Sequence, residues 1–149
     1  MRERRLIRVE GLAALIAAGL ALGCESEKST GTVVGPLAGP RVAESVLCLG
    51  IVEGLPDGIT EVFEQSEDVH LWVHWEALTP PHTAEAVWYD PDGREADATT
   101  VEITGSAAEQ VTVFRLALTS VSRLGRWSVD LRLDGEFMRG HAFLVVQPN

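Results

Sequence analysis

The sequence is poor in cysteine and in positive charge for its 149 residues. Two cysteines, Cys24 and Cys48, are too few for a disulfide-rich scaffold or a four-cysteine zinc site. The 12 basic residues against 22 acidic ones give a net charge of -10. This balance argues against a nucleic-acid partner, because such binding depends on Lys and Arg at the phosphates. The length and the 46% apolar content suit one globular domain with a short appendage.

The sequence also lacks the short motifs that mark common catalytic and cofactor sites. It contains no Gly-x-Ser-x-Gly elbow, no Walker phosphate loop, no His-Glu-x-x-His and no Cys-x-x-Cys. The acidic segment around Asp90 and Asp92 does not have the ligand spacing of a calcium-binding EF-hand, so we interpret it as a solvated turn. We therefore expect a protein that is not an enzyme and has no metal or other cofactor.

The first 23 residues differ from the rest in charge. They carry four arginines and two glutamates, followed by the uncharged apolar run 11–23. As a helix this run spans only about 20 Å, less than the roughly 30 Å hydrocarbon core of a membrane. We interpret residues 1–23 as a cleaved signal helix, and a retained transmembrane anchor is the alternative.

The apolar run ends in LALGC, residues 20–24, which resembles the lipobox of bacterial lipoproteins. The resemblance implies that cleavage follows Gly23 and that Cys24 becomes the lipid-bearing first residue of the mature chain. An ordinary signal peptide with a chance cysteine is the alternative. Several acyl chains on one residue hold firmly, since each buried methylene adds about 0.8 kcal/mol. The resemblance also implies that Glu25, which is not Asp, favours the outer membrane.

Residues 24–41 form the lipidated N-terminus and a segment that contains Gly, Pro and Ser. This composition is typical of a flexible linker, because it cannot bury enough apolar surface to offset the entropy lost on folding. The domain proper is predicted at residues 42–149.

From residue 42 onward the pattern predicts an all-β domain. Short apolar or alternating segments are separated by turn sequences at 55–58, 90–93 and 134–135, and no segment has a sustained helical period. About seven strands of this kind are typical of an antiparallel immunoglobulin-like β-sandwich, and a small barrel is the alternative. The predicted strands are 45–52, a short edge strand at 61–63, 68–76, 83–89, 97–104, 111–118, 125–133 and a last strand through 143–146.

Residues 46–146 resemble a group of uncharacterised exported bacterial domains with an immunoglobulin-like sandwich. The resemblance rests on the segments IVEGLP (51–56), VWYDPDG (87–93), GRWSVD (125–130) and AFLV (142–145). It implies the fold and supplies no catalytic residues.

The predicted strand 68–76 alternates strictly between two faces. Its more apolar set should face the core and comprises Val69, Leu71, Val73 and Trp75. The opposite set, His70, Trp72 and His74, is here called the aromatic stripe. An exposed Trp72 could stack on a sugar or anchor a protein. The alternative, in which a loop or the linker covers Trp72, is favoured because single surface aromatics are common and need no explanation. His70 and His74 would lie roughly 13 Å apart on a strand, so one metal cannot bind both.

Two further predictions concern buried residues. Strand 125–133 should turn Trp127, Val129, Leu131 and Leu133 into the core. Cys48 lies in an apolar strand and is interpreted as a buried small hydrophobic residue, and Gly50 is a candidate β-bulge.

These observations predict a lipid-anchored binding or accessory module of the cell envelope, attached through Cys24 and placed at the outer membrane. Its partner would be a protein or a glycan that contacts the aromatic stripe. A structural subunit of a larger envelope complex is the alternative.

Overall fold

The computed structural model describes residues 39–149, which contain nine β-strands and no helix. The predicted signal helix, the predicted lipidation site Cys24 and most of the predicted linker lie outside these residues. No helix in the described part is long and apolar enough to cross a membrane. The strands are β1 (Arg41–Val52), β2 (Leu55–Ile59), β3 (Val62–Glu64), β4 (Asp68–Glu76), β5 (His82–Tyr89), β6 (Glu95–Ile103), β7 (Gln110–Ala117), β8 (Gly125–Leu133) and β9 (Glu136–Val146).

The strands form two sheets that enclose a single core. One sheet has four strands in the order β2-β1-β4-β7, and the other has five in the order β3-β9-β8-β5-β6. All neighbours are antiparallel except β3, which pairs in parallel with β9. The predicted all-β sandwich is therefore confirmed, with nine strands rather than about seven. The small barrel is wrong, because the strands form two separate sheets.

The core predicted from alternation is also confirmed. The inward residues of β4 and β8 are all buried, namely Val69, Leu71, Val73, Trp75, Trp127, Val129, Leu131 and Leu133. The ring of Phe143 on β9 lies 5.5 Å from that of Phe63 and 6.1 Å from that of Trp88. Trp127 stacks on the same ring at 6.2 Å. Aromatic residues from four strands of the five-stranded sheet thus fill the middle of the sandwich.

Two predictions about β1 and β2 are wrong. Residues 55–58, predicted as a turn, belong to β2, and the actual turn is Glu53-Gly54, with φ of 51° and 79°. Pro56 is typical of a turn, so the local sequence predicts one. Proline is tolerated within β2 because β2 is an edge strand. The register shift in β1 lies between Val42 and Glu44 and not at Gly50.

The predicted two-residue turn at Asp134-Gly135 is confirmed and joins β8 to β9. Both residues have positive φ, 51° and 84°, as a type I′ turn requires. The turn sets the register of the first residues of β9, and a register shift between Leu131 and Arg132 then offsets the pairing by one residue along the rest of the strand.

Candidate functional site

The aromatic stripe lies on the outer face of the four-stranded sheet, opposite the core residues of β4. Trp72 is nevertheless only 6% exposed. Its indole Nε1–H donates to the carbonyl oxygen of Gly54 at 2.9 Å, so the β1–β2 turn folds over the ring. The alternative raised from the sequence, a loop that covers Trp72, is what the structure shows.

The two histidines of the stripe have separate surroundings. His70 pairs in register with Cys48 on one side and with Arg115 on the other. Its buried Nδ1 has no hydrogen-bond partner among residues 39–149. His74 Nε2 lies 3.6 Å from Oε2 of Glu109. No group of three or more metal-ligating side chains occurs in the described part of the chain. The role of the stripe in partner binding stays a prediction. It lacks the support that an exposed Trp72 would give, because this ring is covered.

Cys48 is fully buried on β1, as predicted. Burial raises the pKa of its thiol above the ordinary value, because the thiolate would lose solvation. Its Sγ lies 3.8 Å from the carbonyl oxygen of His70. Cys48 is therefore a packed, protonated thiol rather than a reactive one.

A second group of polar residues joins the two sheets where β1 faces β9. Ser45 Oγ lies 2.8 Å from His141 Nε2, and Arg139 Nη1 donates to the same Oγ at 3.4 Å. We call Ser45, Arg139 and His141 the inter-sheet cluster. Ser45 is 8% exposed and His141 is half-buried, so both sit partly inside the sandwich.

The protonation state of His141 follows from this environment. Burial lowers its pKa below the ordinary 6.5, and the positive charge of Arg139 lowers it further, whereas Glu61 acts in the opposite direction. A neutral imidazole has one donor and one acceptor nitrogen, and its Nε2 forms a hydrogen bond with the Ser45 hydroxyl. The same Ser45 oxygen also accepts from Arg139.

An open cleft of about 570 Å³ lies beside this cluster. Its lining consists of Glu61, Val62, Arg126 and residues 140–144, which include His141. The cleft runs along the side of β9 that faces β3. Few side-chain atoms fill its floor, because Gly140 has no side chain and Ala142 has only a methyl group.

The cleft exists because β3 is too short to cover β9. The three residues of β3 pair only with residues 144–146 of β9. The side of β9 that faces away from β8 is paired with no strand of residues 39–149 over residues 136–143. We call this stretch the open β9 edge. Leu144 N–H donates towards β3, to the Glu61 carbonyl oxygen at 2.8 Å. Because backbone groups alternate sides along a strand, the N–H and C=O of Gly140 and Ala142 point to the same, uncovered side.

The charge around this edge is unlike that elsewhere in the acidic chain. Four arginines of the described part form ion pairs with carboxylates: Arg41, Arg94, Arg115 and Arg123. Arg126, Arg132 and Arg139 form none with any described residue, and all three belong to β8 or β9. Arg126 lines the cleft, and Arg139 contacts the cluster beside it. The open β9 edge therefore combines unused backbone hydrogen-bonding groups with two arginines that form no ion pair with a described residue, although Glu61 in the cleft and Asp130 beside Gly140 are acidic.

Sequence reasoning did not find the inter-sheet cluster. His141 and Arg139 lie two and four residues before the core residue Phe143, so alternation could have placed both on the inward face. Polar side chains at two inward positions of one strand are the feature of the sequence that could have indicated this cluster. The partner Ser45 belongs to the other sheet, and its contact depends on the packing of the two sheets.

The geometry can be compared with known proteins. No protein-family model and no curated protein matches the sequence. Among solved structures, an immunoglobulin-like protein from Pseudomonas aeruginosa aligns with a TM-score of 0.54 and 12% identity, over 75% of this chain and 100% of that one. The alkylpurine DNA glycosylase AlkC of Pseudomonas fluorescens, bound to DNA containing an abasic site analog, aligns with a TM-score of 0.51 and 15% identity. That match covers 72% of this chain, which spans only 30% of the glycosylase.

At these identities the similarity concerns the fold alone. Together with the two-sheet topology, it shows that residues 39–149 form an immunoglobulin-like β-sandwich.

Proposed function

We propose that this protein is a non-catalytic binding module held at the cell envelope by lipid on Cys24. The observation that carries the binding role is the open β9 edge with its cleft. It is a concave surface where unpaired backbone donors and acceptors of β9 lie next to Arg126 and Arg139, which have no carboxylate partner among residues 39–149.

The absence of catalysis is part of the proposal, and the inter-sheet cluster supports it. A serine nucleophile must reach its substrate, whereas Ser45 Oγ is enclosed between His141 and Arg139. In addition, no described carboxylate hydrogen-bonds to His141 to orient it as a general base. We interpret the cluster as a contact that ties the two sheets together.

The anchor rests on the lipobox-like segment 20–24, which lies outside the described residues. If lipid is attached, Cys24→Ala should abolish palmitate incorporation and leave the signal segment uncleaved, because the thioether cannot form. Radiolabelled palmitate followed by gel electrophoresis measures the first effect, and the mass of the isolated chain measures the second.

Cys48→Ala is the matched control, since it also removes one thiol. Cys48 is buried in β1, so this variant should keep the label at the wild-type level. Equal labelling of wild type and Cys24→Ala would contradict lipid attachment at Cys24.

We also propose that the lipid anchors the protein in the outer membrane, because Glu25, and not Asp, follows Cys24. Density-gradient separation of the two membranes measures it. A structural subunit of a larger envelope complex, the alternative, would instead migrate as a stable stoichiometric assembly after mild detergent extraction.

A further inference from the structure

We propose that the open β9 edge binds an extended polypeptide strand of a partner, in line with β3, and that the strand turns an acidic side chain towards Arg139 and His141. This inference rests on the proposed binding role and adds the chemical class of the partner. It follows from three features of the described residues, which are the backbone of β9, the charge beside it and the apolar residues outside it.

The backbone of β9 offers an incomplete sheet. The parallel strand β3 pairs with residues 144–146 of β9, directly after the open β9 edge, and begins at Val62. A strand that continues the line of β3 would meet the N–H and C=O groups of Gly140 and Ala142, which point into the cleft. Strand addition to an exposed edge is a common way of binding peptides, because the main-chain hydrogen bonds supply affinity independent of sequence.

The charge selects the residue that faces inward. Side chains of an added strand alternate between the outer face and the sandwich interior. Interior ones would lie on the side of Arg139 and His141, where Arg139 has no carboxylate partner among the described residues. An inward Glu or Asp could therefore accept from the guanidinium of Arg139. Glu61 lies at the β3 end of the cleft and repels a carboxylate there, so the acidic residue belongs at the other end.

The outer face selects apolar neighbours. Val62 and Leu144 are exposed to 51% and 43% on this face, and Phe137 is exposed to 59% beside Gly140. Outward side chains of the added strand would cover these surfaces. The occupant is thus a β-prone segment with one acidic inward residue between apolar outward residues.

The probe is the peptide acetyl-Thr-Val-Glu-Val-Thr-amide, with Gln in place of Glu as its matched control. It is titrated into the isotope-labelled full-length protein, isolated in mild detergent, while amide shifts are recorded by NMR. We expect saturable shifts at Gly140 and Ala142. The Gln peptide should bind about tenfold more weakly, the effect of losing one charge-assisted hydrogen bond.

Two variants test the two halves of the inference. Ala142→Pro removes the edge N–H, which an edge strand tolerates, and should weaken the Glu peptide at least about tenfold with little change in melting temperature. Ala142→Val keeps the N–H and should bind like wild type. Arg139→Gln should weaken the Glu peptide and leave the Gln peptide unchanged, so that the double-mutant cycle isolates the charge pair.

The inference is overturned if millimolar Glu peptide leaves the Gly140 and Ala142 amides unshifted, or if Ala142→Pro binds it like wild type. Self-association of the wild type that Ala142→Pro abolishes would assign the edge to a second copy of this chain and also overturn it. Either result removes the support that the open β9 edge gives to a binding role, but a partner that is cross-linked equally to wild type and Ala142→Pro would maintain that role at another surface. Loss of the proposed function would instead show as a chain without lipid and without any cross-linked partner.

Discussion

The aromatic stripe on the four-stranded sheet and the open β9 edge of the five-stranded sheet differ in a way that their residue types alone do not reveal. The stripe contains Trp and His, which are common at interfaces, yet the Glu53-Gly54 turn covers Trp72 and accepts its indole N–H. The β9 edge contains Gly140 and Ala142, whose small side chains indicate no function in the sequence, yet their backbone groups on the β3 side pair with no described strand and the neighbouring Arg126 is exposed. Accessibility, and not side-chain type, separates the two regions.

The same comparison shows that an edge strand can be blocked or left open by a few residues. The hairpin β1–β2 extends the four-stranded sheet and bends back over its outer face. The three-residue β3 covers only residues 144–146 at the edge of β9. Exposed edges are usually blunted, so an edge left open beside a cleft is a natural place for binding.

The largest effects that we expect concern two buried tryptophans, Trp72 under the β1–β2 turn and Trp127 in the core. If the turn buries the ring, Trp72→Ala should lower the free energy of unfolding by about 2 kcal/mol or more, because it leaves a cavity and an unpaired Gly54 carbonyl group. Thermal and urea unfolding measure it. Trp127→Ala is the core reference at about 3–5 kcal/mol, and Phe137→Ala, at an exposed site, should change stability by less than about 0.5 kcal/mol.

A Trp72→Ala variant as stable as Phe137→Ala would break the comparison. The ring would then face solvent, and the aromatic stripe would regain its predicted place as an accessible binding surface.

A smaller effect concerns pH and sharpens the description of the inter-sheet cluster. His141 has a lowered pKa in the folded protein, so below the unfolded value of 6.5 the unfolded chain binds the proton first. Stability should be unaffected by this group above pH 6.5 and should fall as the pH drops from 6.5 towards the folded pKa. His141→Gln should remove that part of the pH dependence, which urea unfolding at several pH values measures. An NMR titration that places the His141 pKa at or above 6.5 would contradict the burial of its ring.

Much of the fold could be predicted from the sequence, because the two-residue period of a half-buried strand is a local property. The inward residues of β4 and β8 and the turn at Asp134-Gly135 followed from alternation and turn chemistry. Residues 55–58 were misassigned, because Pro56 and Gly58 indicate a turn to any local rule. Only the position of β2 at the sheet edge explains why they are tolerated there.

The candidate site could not be predicted, since it depends on contacts distant in sequence. Ser45 and His141 are brought together by the packing of two sheets, and the cover over Trp72 depends on where the β1–β2 hairpin ends. The open edge depends on where β3 begins, because β3 runs parallel to β9 and only residues before Val62 could cover residues 136–143 of β9. Those residues instead lead back to β2, which ends at Ile59 in the other sheet.

Hydrogen exchange followed by NMR in the free protein tests the central contrast most directly, because one experiment reports both regions. The account predicts that the indole N–H of Trp72 exchanges slowly, like that of the buried Trp75, while the backbone amide of Ala142 exchanges nearly as fast as in an unstructured peptide. A protected Ala142 amide together with a rapidly exchanging Trp72 indole would contradict it.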